Sequence, residues 1–285
     1  MANVLSLAKP SIGARNPFTF ARIALVTDKS EAMLNKDFRG RSLGFPTMPE
    51  PYSDEFQLPV LAPGETPLHG YRGADEVAPA VRVPAGLTIA LSREAGARGA
   101  TIAQRAGEKL GWEIYSQEML EYGAQNAALR QDVLDKLSPE SIAWIDERLQ
   151  HLLEKPNMSH NPNIVDLARL VLSLAAQGNV ILLGRGAGFL LPRRSTLHVR
   201  LVAPLADRIA YMSQWLRLTE EEAAEQVHKR DQRRTDFLTT HFHRKPNDVH
   251  VYDMILNTSM FGEERSADLI AAAAKAKMSA VVGMD

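Results

Sequence analysis

Three groups of residues in this chain have the types and spacing for chemistry. The first is Ser92-Arg93-Glu94-Ala95-Gly96-Ala97-Arg98-Gly99-Ala100-Thr101, small residues leading into an amphipathic stretch. Small side chains let backbone N–H groups approach an anion, and the positive end of a following helix favours it. Thr101 is placed to cap that helix or to offer a hydroxyl to Mg²⁺. The strict phosphate-loop pattern ends glycine, lysine, then serine or threonine, and here the lysine position falls on Gly99. Arg93 and Arg98 bring cations nearby, but a planar guanidinium is broader than an ammonium group. Taken alone, the loop fits a plain strand–helix turn as well as a nucleotide site.

The second group is Gly184-Arg185-Gly186-Ala187-Gly188. An arginine between glycines is open enough to fork onto phosphate oxygens; a surface arginine in a turn is the plainer alternative. The third runs from His228 to Lys245, with six Lys/Arg against two Asp, in a chain of formal net charge −1. Arg230, Asp231 and Arg234 lie in it. A solvated helix end and a phosphate-closing lid over about 228–247 both fit.

Such groups act together only if a scaffold sets them on one rim. A continuous apolar run at Leu87–Leu91 and further short, mainly apolar runs at Val180–Leu183, Leu197–Val202 and Val251–Leu256 predict buried parallel strands. Helical spacing marks Thr101–Leu110, Ala206–Leu216, a helix beginning at Glu220–Gln226, and Ala267–Lys277. The alternation predicts an α/β fold: a doubly wound parallel sheet with helices on both faces. In such sheets ligands gather at the carboxyl ends of the strands. The amphipathic stretch 134–155 reads as core-facing, and Trp112, Trp144 and Trp215 read as core or interface aromatics.

Ten of the sixteen prolines precede residue 86. Proline removes a backbone donor and fixes φ, so residues 1–85 read as an irregular Pro-rich extension, with room for a short helix or strand at 18–36. The folded domain is expected over 86–280.

With 285 residues, 45% hydrophobic and 24% charged, the composition excludes collagen, coiled coil and wholesale disorder. Near-neutral charge gives no field for a nucleic acid polymer. The absence of cysteine excludes disulfides, thiolate zinc sites and cysteine nucleophiles. No run approaches the ~18 apolar residues of a membrane span, and the expected compartment is cytoplasmic. His241, His243 and His250 lack the fixed scaffold that a metal site wants.

Together the segments LTIALSREAGARGATIAQRAGEKLGWEIYSQEML, GNVILLGRGAGFLLP, LHVRLVAPLADRIAYM, KRDQRRTDF and VYDMILNTS resemble the cytidylate kinase-like family of P-loop nucleoside monophosphate kinases, over about residues 86–275. The resemblance implies a P-loop NTPase-like fold and transfer of the ATP γ-phosphoryl group, with Mg²⁺, to a nucleoside monophosphate; CMP is one candidate. It implies that Ser92, Arg93, Gly96, Ala97, Arg98, Gly99, Ala100 and Thr101 hold the donor's phosphates and that Arg185 holds the acceptor's. Arg230 and Arg234 would come from the lid, oriented by Asp231. Three positions depart from the pattern: Gly99 replaces the lysine, Gly186 replaces the aspartate that follows the arginine in cytidylate kinases proper, and Ser116-Gln117-Glu118 stands where relatives carry an aspartate. The alternative is a protein that binds or senses a nucleotide through a degenerate loop without turnover.

Overall fold

Five parallel strands form one sheet in the order β2-β3-β1-β4-β5. The computed structural model describes residues 86–154 and 158–282, so the expectations for the Pro-rich extension and for 18–36 lie outside the described residues. β1 is Thr88–Arg93, α1 Gly99–Leu110, β2 Glu113–Tyr115, α2 Gln117–Gln125, α3 Ala127–Leu134, α4 Pro139–Glu154 and α5 Pro162–Gln177. Then follow β3 (Val180–Leu183), α6 (Ala187–Leu190), β4 (Thr196–Val202), α7 (Leu205–Leu216), α8 (Glu220–Phe242), β5 (Met254–Asn257) and α9 (Thr258–Val282). α9 breaks at Gly262, whose φ of 69° and ψ of −179° are not helical.

β1 lies at the centre, paired with β3 on one side and β4 on the other. Strand residues point alternately to the two faces, and both faces are covered. Ile89 and Leu91 join Ile181, Leu183, Val199 and Leu201 beneath Ile102, Ala103 and Ala106 of α1 and Ala267, Ile270 and Ala274 of α9. On the other face Ala90 and Leu182 meet Leu120, Trp144, Ile145, Leu170 and Phe242. This is the doubly wound parallel sheet expected from the alternating runs, and it agrees with the P-loop NTPase-like fold that the resemblance implies, with the loop that follows β1 opening at the middle of the sheet.

Several boundaries differ from the sequence reading. The fourth expected strand, Val251–Leu256, starts later, because Val249–Val251 form a 3₁₀ turn. Asp253 is then spent on β4: its N–H donates to the His198 carbonyl and its carboxylate accepts from the His198 N–H. The helix expected to begin at Glu220–Gln226 starts there, with a reciprocal cap between Thr219 and Glu222, and runs through the basic segment to Phe242. Its buried residues, Ala223, Val227, Leu238 and Phe242, are widely spaced among charges, which hides the continuity. The expected lid is thus largely helix. Leu238 and Phe242 enter the main core, and burying one such side chain contributes about 1.5–3 kcal/mol. Trp144 is core, whereas Trp215 is half exposed.

Candidate functional site

β1 delivers Arg93 to its carboxyl end, and the chain then turns into α1. Gly96 takes a positive φ of 81°, and a Cβ there would lie 2.5 Å from the Arg208 carbonyl oxygen, so only glycine fits this close approach. Arg98, with φ 55°, is the residue that caps α1, without a side-chain bond. Thr101 therefore sits inside the first turn instead of capping it. The first helical amides, at Gly99, Ala100 and Thr101, have no partners one turn earlier in the helix, as at any helix start.

The loop's side chains divide into three neighbourhoods. Arg98 lies over the Tyr211 ring, 5.1 Å from its centroid, and the Thr101 hydroxyl is hydrogen-bonded to Tyr211. Ser92 turns to β4, its Oγ accepting from Arg200 at 3.3 Å. Arg93 goes elsewhere. Its stem crosses Gly99, and its guanidinium reaches Gly184 and donates to Gln117 Oε1 at 3.3 Å.

There Arg93 meets Arg185 and Arg234. Gly184, Arg185 and Gly186 have successive φ values of 85°, 53° and 70°, a left-handed row that turns the chain from β3 into α6. Arg185 is ion-paired with Glu121 of α2 and lies over Phe237 of α8, 4.6 Å from the ring centroid; its buried Nε has no partner. Arg234, one helical turn before Phe237, is bonded to Asp231 at 3.4 Å, and Arg230 is close enough to repel it. Burial lowers the affinity of all three guanidinium groups for their protons. For Arg93 burial, then Arg234, then Arg185, opposed by Glu118, bring the value down to about 9, which leaves it charged at neutral pH. In Arg185 and Arg234 burial is again the largest cause. Such a cluster of partly desolvated cations can pair with the oxygens of a polyanion.

Asp231 has a second attachment. Its Oδ1 accepts the Ala95 N–H at 2.7 Å, and its Oδ2 pairs with Arg208 at 2.5 Å. One donor of the loop is thereby satisfied by a carboxylate of α8. Arg208 also bonds the Ala95 and Ala203 carbonyls and approaches Glu94 at 3.5 Å.

Thus of the residues expected at the site, Arg93, Arg185, Arg230, Asp231 and Arg234 converge around the loop and the start of α1, while Ser92, Arg98 and Thr101 engage other neighbours. The reading by sequence gave Glu118 only as part of a departure from the family pattern and missed Glu121, Phe237 and Arg208. The signal for the two glutamates was present: Ser116 caps α2 and Glu118 and Glu121 occupy its first turns, directly after β2. Among the described residues no group of three metal-ligating side chains is assembled, and no helix is long and apolar enough to cross a membrane.

A sequence model of the cytidylate kinase-like family matches residues 88–260. The chain is 28% identical over 123 residues to a cytidylate kinase of Methanopyrus kandleri, covering 40% of this chain and 64% of that one. It is 31% identical over 102 residues to a uronate isomerase of Corynebacterium glutamicum, covering 36% of this chain and 20% of that one. The matches thus span less than two thirds of either relative. Among solved structures, an uncharacterized protein from Eubacterium ventriosum superposes with a TM-score of 0.53 at 18% identity, over 67% of this chain and 98% of that one.

Proposed function

The chain belongs to the cytidylate kinase-like family, and from that premise we propose that it is a nucleotide kinase moving the γ-phosphoryl group of ATP to a nucleoside monophosphate, with CMP the first acceptor to try. The observation that carries this reading is the convergence of Arg93, Arg185 and Arg234 beside the amino end of α1. The loop and Arg93 hold the donor's phosphates. Arg185, at the end of β3, holds the acceptor's phosphate, releasing Glu121 to do so. Arg230 and Arg234 of α8 neutralise the group in flight, and Asp231 fixes α8 to the loop.

An acceptor phosphate oxygen attacks the γ-phosphorus as the bond to the β–γ bridging oxygen breaks, and ADP leaves with that electron pair. Little covalent help is needed; positioning and positive charge supply most of the rate. Mg²⁺ enters with ATP as part of the substrate. Thr101 would ligate it only by exchanging Tyr211 for the ion.

The second reading, a nucleotide sensor without turnover, is favoured by Gly99 in the lysine's place. ADP release from ATP with CMP, dCMP, UMP and AMP in turn, with Mg²⁺, decides between them. Acceptor-dependent ADP supports the kinase. ATP binding without ADP supports the sensor.

A further inference from the structure

Gly99 has an ordinary backbone conformation, so nothing in its φ requires glycine. What fills its side is Arg93: a Cβ at Gly99 would lie 2.9 Å from Arg93 Cγ, 3.0 Å from its Cβ and 3.3 Å from its Cδ. The volume into which a lysine at 99 would project is occupied by the stem of an arginine from the adjoining strand. At the other end of that stem the guanidinium is largely buried, and among the described residues its one side-chain hydrogen bond is to the neutral amide of Gln117. Among the described residues it has no ion pair, and of the three charges that act on it two are further arginines, Arg234 and Arg185, and only Glu118 is opposite. Removing a charge from water without a partner costs several kcal/mol. Proteins hold such a group where a ligand supplies the counter-ion.

We propose that Arg93 takes the part of the missing lysine, so that the cation which grips the donor's terminal phosphates comes from β1 instead of from the start of α1. Gly99 is glycine because Arg93 is there. The loop is therefore rebuilt around a different cation, not degenerate. The inference rests on the nucleotide reading above and makes a claim that reading does not contain: positions 93 and 99 are two solutions to one requirement, and they exclude each other.

The test uses the full chain, with ATP and with tripolyphosphate as a base-free probe, read by calorimetry and by thermal midpoint. Arg93→Met is expected to raise the midpoint without ligand, because a buried charge without an ion pair is gone. It should weaken both probes by about 10–100-fold, the share of a charged hydrogen-bonding group. Gly99→Lys alone should lower the midpoint by pressing on Arg93. Arg93→Ala with Gly99→Lys should fold and recover most of the lost affinity. If wild type binds the probes and Arg93→Met binds them equally well, or if the double variant binds no better than Arg93→Ala, this inference is overturned and the nucleotide reading stands. If wild type binds neither probe, the nucleotide reading itself is overturned.

Discussion

The Asp231 carboxylate of α8 accepts the backbone N–H of Ala95 at 2.7 Å. The helix that carries Arg230 and Arg234 is thereby fastened to the loop that follows β1. The same carboxylate holds Arg208, which is almost fully buried. Asp231→Ala should leave the Ala95 amide without its acceptor and Arg208 with Glu94 as its remaining carboxylate partner, and lower the unfolding free energy by about 1–3 kcal/mol. Asp231→Asn, which still offers an acceptor oxygen, should lose less. Urea unfolding of both variants checks the order; equal losses would mean that the amide bond contributes nothing.

Arg185 and Arg234 should fail in different kinetic parameters. In the proposed kinase Arg185, at the end of β3, would serve a phosphate present before reaction, so Arg185→Ala should chiefly raise the acceptor's KM. On the same proposal Arg234 and Arg230 would matter most as the phosphoryl group moves. Replacing either by Ala should lower kcat by about 10–1000-fold, if each supplies about 1.4–4 kcal/mol to the transition state. Lysine should rescue only partly, since the fork is lost. Steady-state kinetics with the acceptor varied shows whether the two effects separate.

Restoring the aspartate of cytidylate kinases proper should not work here. A Cβ at Gly186 would lie 2.6 Å from the Phe242 ring, and its φ of 70° already disfavours other residues. Gly186→Asp should lower the thermal midpoint, and Gly186→Asp with Phe242→Ala should not regain the lost stability, because Phe242 is itself core. Calorimetric melting of the pair is decisive; a stable Gly186→Asp would show that the ring yields easily.

His198 makes the fold acid-sensitive. Burial, the dominant cause, with smaller contributions from Arg193 and Lys277, lowers its pKa from 6.5 to about 4, against the Val251 carbonyl and Asp253, which raise it. Between these values the unfolded chain binds more protons than the folded one. The penalty is absent above about pH 6.5 and grows as pH falls towards 4, to roughly 3 kcal/mol at most. Urea midpoints at pH 7 and pH 4.5 should show the drop in wild type, and a smaller one in His198→Phe.

The parallel sheet was legible because β3 is an unbroken apolar run and β1 and β4 are mainly apolar and buried over most of their length. β2 was not: Glu113–Tyr115 is three residues long and only Tyr115 is buried. The helices between β2 and β3 were read only at 134–155, since the others are short or, like α5, apolar nearly all round. For the site, the residue types of Arg93, Arg185 and Arg234 were readable from their flanking glycines and charges. Their meeting was not, because it depends on β3 lying beside β1 and on α8 folding its far end into the core. Nor does any spacing reveal that Asp231 serves the Ala95 amide, a contact set wholly by tertiary packing.

The left-handed row Gly184-Arg185-Gly186 separates two selective pressures acting on one position. A chain selected only to fold would carry glycine or asparagine at 185, since an ordinary side chain in that basin costs about 1–2 kcal/mol. Arg185→Gly should therefore be more stable than Arg185→Ala by about that amount, though both lose the guanidinium, Glu121 and Phe237 alike. The arginine persists against a local preference that opposes it, and what it holds must offset the difference.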